Sequence, residues 1–123
     1  MTTATFSSAA YSPDKLIAGN ADLLVSRKVT LISGQNLARG ALLGKITASG
    51  KYTLSASAAG DGSQVPDGIL VEATDASGGD AEALVYFRGD FNQNAMTFGT
   101  GHTADSVRDG LRGKGITLID AEG

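Results

Sequence analysis

The chain has no cysteine, no tryptophan, two prolines and one histidine. Without cysteine there are no disulfides and no thiolate metal sites, which suits assembly in a reducing cytoplasm. With His102 alone, a Ser-His-Asp arrangement would have to use that residue, and no nucleophile-elbow sequence accompanies it. No apolar stretch is long enough to cross a bilayer. The opening "MTTATFSSAAYSPDKL" lacks the basic start and apolar run of a secretory leader, so a soluble protein is expected. Charge is equally sparse: 13 acidic and 10 basic residues, net -3, with no block of one sign. A phosphate backbone finds no basic stripe here, so nucleic acid is not an expected partner, and neither is a membrane.

Leu, Ile, Val and Phe together make 28 of 123 residues, only slightly above the fifth or so of a chain below which disorder becomes the better expectation. Glycine, at 17 residues, is about twice its ordinary share of roughly 7%. Each glycine loses more backbone freedom on folding than any other residue. One thin core in one domain is the expectation, and self-association is the simplest source of further stability.

Residues 1–20 are rich in Thr, Ser and Ala, and Phe6, Tyr11, Leu16 and Ile17 follow no period. They read as a flexible arm, ordered on meeting a partner, with residues 21–123 as the β-rich domain. From there, alternation predicts strands: Leu23, Val25, Val29 and Leu31; Leu42, Gly44 and Ile46; Tyr52 and Leu54 after a Ser49-Gly50 turn. "GILVEA" sets Ile69, Val71 and Ala73 on one face, and "AEALVYFRGDF" sets Ala83, Val85, Phe87 and Phe91 opposite Leu84, Tyr86 and Arg88. One helix is predicted, capped by Thr103, with Ala104, Val107 and Leu111 on its apolar face and Gly113 or Gly115 ending it. "ITLI" closes the pattern as a last strand. The fold class is mainly β, with one short helix near the C-terminus.

The stretch "GQNLARGALLGKI" combines Gly34, Gly40 and Gly44 with Arg39 and several large aliphatic residues. Its spacing matches no dinucleotide or phosphate fingerprint. It reads as a structural corner of Leu37, Arg39, Gly40, Leu42 and Gly44, bending over Leu37, Leu42 and Ile46 with Arg39 capping or pairing at the surface. "FGTGHT" could offer an anion the free N–H groups of a helix start, but a turn plus an N-cap accounts for the same residues. Asp61, Asp67, Asp75 and Asp80 invite calcium, yet Val65 falls where an EF-hand loop needs its fifth-position ligand. Asp-Gly and Gly-Gly-Asp are ordinary turn chemistry. No metal, no cofactor and no catalytic residue is expected.

"LISGQNLARGALLGKIT", "GKYTLSASAAGDGSQVPDGILVEATDASGGDAEALVYFRGDFN" and "HTADSVRDGLRGKGITLI" together resemble the head decoration protein family of tailed bacteriophages. The likeness runs from about Leu31 to Ile119. It is carried by the corner from Leu37 to Gly44, the turn and strand from Asp61 to Ile69, Arg88-Gly89, and the ending from Leu111 to Ile116.

This resemblance implies a β-clip-like domain and a homotrimer on the outer capsid surface at local three-fold positions. The implied partner is the major capsid protein of the phage head, in a virion assembled in the host cytoplasm. It also implies an N-terminal arm that becomes ordered on the capsid lattice; from its own composition, the arm is expected to bind through Thr3, Thr5, Phe6, Tyr11 and Pro13, adding a strand to a sheet edge with Phe6 or Tyr11 filling pockets. Two other classes stay open: a virion-surface carbohydrate-binding or adhesion module using Tyr52 or Tyr86 to stack on a sugar, and a β-clip nucleotide hydrolase with Asp61 or Asp67 as base.

Overall fold

The computed structural model describes residues 16–19 and 24–120. Among the described residues nine strands and one helix follow in chain order: β1 (Ile17–Gly19), β2 (Val25–Leu31), β3 (Asn36–Leu37), β4 (Leu42–Lys45), β5 (Tyr52–Leu54), β6 (Pro66–Leu70), β7 (Thr74–Asp75), β8 (Ala81–Asn92), α1 (Ala104–Arg112) and β9 (Ile116–Ile119). A 3-10 turn at Gln93–Ala95 follows β8. The fold is mainly β with its helix near the C-terminus, as the patterning predicts.

β8 is the spine. Its first two-thirds pair with β2 on one edge and β6 on the other, and β6–β4–β5 lead back to β2 to close a barrel-like sheet. Its last residues pair with β1 and, in parallel, with β9. β3 and β7 make a separate two-stranded ribbon. Residues 16–19, expected as the end of the arm, belong to this body: Leu16 is buried, its carbonyl accepts from Asn92 N–H at 2.7 Å, and Ile17 faces Phe91.

The middle strands are buried on both faces, which explains how so few large apolar residues suffice. Adjacent residues point to opposite sides. Leu42, Ile69 and Tyr86 lie on one rung and enter a cluster with Phe91, Val107, Leu111 and Ile116. Their neighbours Leu43, Leu70 and Val85 enter a second cluster with Leu31, Tyr52 and Ala83. Each pair thus serves two cores at once.

Two readings of the strand pattern are corrected. Phe91 does not share a core with Ala83 and Val85; it packs on Tyr86, ring centroids 5.2 Å apart. Val25 faces Arg88 while Ser26 faces Tyr86, so Phe87 is an extra residue in β8, and this bulge inverts the alternation beyond it. The strand of "GILVEA" lies earlier than expected, at Pro66–Leu70. After Leu70, Val71 N–H donates to Leu84 and the chain bends, leaving Ala73 exposed.

The helix forms where local signals place it. Thr103 Oγ1 accepts from Ser106 N–H, Ser106 Oγ takes the N–H of Thr103, and Gly113 is the C-cap. Val107 and Leu111 are buried on its inner face, packed against β9 and β6.

Candidate functional site

The residues from Leu37 to Gly44 do not converge on a ligand space. Gly40 takes φ +96°, a left-handed backbone that admits glycine, and a Cβ there would lie 2.6 Å from the Ala95 carbonyl. Gly40 N–H donates to Leu70 (2.9 Å), and Leu42 N–H donates to Thr97 (2.9 Å), so the turn is stitched to two other segments. At Gly44 the reason is contact: a Cβ would lie 2.0 Å from the Ser63 carbonyl oxygen. Leu37 is half-buried against one cluster, Leu42 is fully buried in the other, and Ile46 is half-buried.

Arg39 is half-buried rather than standing at the surface. Its Nη1 donates to the Val71 carbonyl at 2.5 Å and lies 3.5 Å from Tyr86 Oη, with the guanidinium 6.0 Å from the Tyr86 ring centroid. It holds the bend after β6 to the turn before β4. The arm positions Thr3, Thr5, Phe6, Tyr11 and Pro13 lie outside the described residues.

The four aspartates serve four separate ties. Asp61 Oδ1 accepts from Ser63 N–H and Oγ, and Asp75 Oδ1 does the same with Ser77. These hydroxyl and amide donors hold both carboxyls below the usual carboxylate range. Asp80 is lowered likewise, first by Lys51, whose Nζ lies at 2.6 Å, then by Ser33 N–H. Asp67 accepts from Tyr52 Oη at 2.8 Å and from Lys114 at 3.2 Å. Burial first, and that bond second, push the Tyr52 phenol above its ordinary value. Among the described residues no group of three His, Cys, Asp or Glu could hold a metal ion.

His102 Nε2 lies 3.2 Å from Ser55 Oγ and 3.1 Å from the Gln64 carbonyl. Ser55 Oγ already donates to the Ser63 carbonyl at 2.6 Å, so both groups facing the ring can only accept, and Nε2 carries the proton. The pair ties two loops together; it does not arm a nucleophile. At "FGTGHT", Thr100 accepts from Ser57 N–H and Thr103 caps Ser106 N–H, the turn and N-cap expected there. Tyr52 and Tyr86 are 6% and 8% exposed, so neither offers an open ring face to a sugar.

Tertiary structure assembles one cleft that no sequence spacing announced. About 590 Å³ in volume, it lies between β2 and the β4–β5 hairpin, lined by Arg27, Lys28, Lys45, Tyr52, Asp67 and Phe87 among others. Its cations come from β2 and the end of β4, far apart in the chain. The only available signal was the Arg27-Lys28 pair interrupting an alternating strand.

The chain is a single mainly β domain in which Arg39, His102 and the aspartates tie loops and turns together, with a basic cleft at a sheet seam. The chain belongs to the bacteriophage lambda head decoration protein D family, whose model matches residues 5–115. That membership carries a role in decorating the phage capsid. No curated protein matches the chain.

Proposed function

We propose that the protein is a non-enzymatic cement for the phage head: a homotrimer seated at local three-fold positions of the outer surface, bridging major capsid protein subunits and stabilising the DNA-filled shell. The family match over residues 5–115 carries this reading. The thin core supports it, since a protomer of this composition gains stability by association. The aspartates and His102 engaged in loop ties support a role without catalysis. Residues 1–15 serve as the shell-binding arm, and three arms on one trimer turn weak single contacts into a strong collective one.

The test mixes purified protein with expanded, undecorated heads. Saturable density above the three-fold positions is expected, and a chain lacking residues 1–15 should remain folded yet fail to sediment with shells. Absence of binding by the full chain overturns the reading; equal sedimentation of both chains overturns the role of the arm.

A further inference from the structure

The barrel-like sheet has an open seam. β2 pairs with β8 along its length but meets β5 only where Leu31 faces Tyr52. There Ile32 N–H donates to the Tyr52 carbonyl at 2.9 Å. Strand alternation therefore turns the N–H and C=O of Ser26 and Lys28 toward that same edge, where among the described residues they find no partner. The basic cleft opens directly beside them.

We propose that this edge takes an extended acidic segment of the capsid shell protein, which adds to β2 as a strand and lays carboxylates against Arg27 and Lys45. The inference rests on the decoration reading and names a contact separate from the arm. Charge argues for the occupant. The protein is net acidic, yet among the described residues Arg27 and Lys45 line the cleft without an ion pair. The carboxylate of the cleft, Asp67, is already held by Tyr52 and Lys114. Phe87, edge-on to Tyr52 at 6.0 Å, supplies an apolar surface for an inward side chain. A second copy paired through β2 itself about a two-fold axis fits poorly, because antiparallel pairing about the strand centre sets Lys28 against Lys28. The plainer reading is that Arg27 and Lys28 merely keep a lone edge from aggregating. The two differ in whether the edge amides matter on the shell.

Lys28→Pro separates them. It removes an outward N–H and blocks an incoming strand, while the bonds to β8 come from the alternate residues, Arg27 and Val29, so the fold tolerates it. Cosedimentation of the full chain with undecorated heads should weaken by about tenfold or more, the loss of one or two hydrogen bonds plus a steric block. Lys28→Gln, which keeps the N–H, should stay nearer the parent. Arg27→Glu with Lys45→Glu should also weaken binding, and the amides of Ser26 and Lys28 should gain exchange protection on shells. If the parent binds but Lys28→Pro binds equally and those amides stay unprotected, the inference falls while the decoration reading stands. If the parent binds no shell, both fall. Protection that rises with protein concentration in the absence of shells assigns the edge to a second copy and overturns the proposal. Should Lys28→Pro unfold, exchange in the parent decides alone.

Discussion

Gly44→Ala adds one methyl group where the chain has no room for it. Its carbon would sit 2.0 Å from the Ser63 carbonyl oxygen and 2.7 Å from the Ser63 carbonyl carbon, both backbone atoms that no rotamer change can move. That oxygen also accepts the buried Ser55 Oγ bond at 2.6 Å. Relief requires the Ser63 loop to retreat from β4, straining that bond and the His102 contacts beside it. Overpacking of this kind costs about 1–3 kcal/mol, and a strained or lost buried hydrogen bond about 1–3 kcal/mol more. A combined loss of about 3 kcal/mol is expected, a large part of the ~5–15 kcal/mol that holds a domain together. At about 4 °C per kcal/mol for a chain of this size, Tm should fall by about 12 °C. Thermal and urea unfolding followed by circular dichroism, at fixed protein concentration, measure it. Gly78→Ala, where a Cβ meets nothing within 4 Å, is the control and should be near neutral. If Gly44→Ala loses no more than about 0.5 kcal/mol, the usual scatter of surface changes, the close-approach argument is wrong.

Three further outcomes follow from the same geometry. Gly110 lies inside α1 with open space around it, so Gly110→Ala should stabilise by about 1 kcal/mol, whereas Thr103→Ala, which removes the cap, should cost about 1 kcal/mol; urea midpoints read both. Arg39→Ala should cost about 1.5–3 kcal/mol by freeing the Val71 carbonyl, and Arg39→Lys should fall between the two because it keeps the charge and loses the planar stacking. The carboxyls of Asp61, Asp75 and Asp80 are lowered in the fold, so their contribution is present above their unfolded pKa and fades as pH drops through the folded one. Tm should therefore decline below about pH 4, and Asp61→Asn with Asp75→Asn should flatten that limb; an unchanged profile refutes the assignment.

Legibility in the sequence followed the range of the forces involved. The helix was readable from Thr103 to Gly113 because capping and i, i+4 burial act within a turn or two. The Tyr52–Leu54 strand and the last strand were readable from alternation, and the corner at Gly40 from its glycine. The exchange of Phe91 between the two clusters was not, since a bulge is a mismatch between partners and Val25 lies some sixty residues from Arg88. Nor could alternation reveal that Leu42 and Leu43 are both buried, because period-two reasoning assumes one wet face and a closed sheet has none at its centre. Leu16 and Ile17 lacked any period of their own, and only the edge of β8 gave them a place.

By itself, the sequence determined the class of fold, the helix and its caps, the turn chemistry of Asp61 and Asp75, and the family resemblance, all of which depend on residues near one another in the chain or on their order. Only the tertiary structure decided that Gly44 yields space to Ser63, that Arg39 holds Val71 beneath Tyr86, and that Arg27, Lys45 and the edge of β2 away from β8, without a strand partner among the described residues, border one cleft. Those features arise where segments far apart in the chain meet. Closure of the sheet around β8 sets their distances, and no local pattern encodes them.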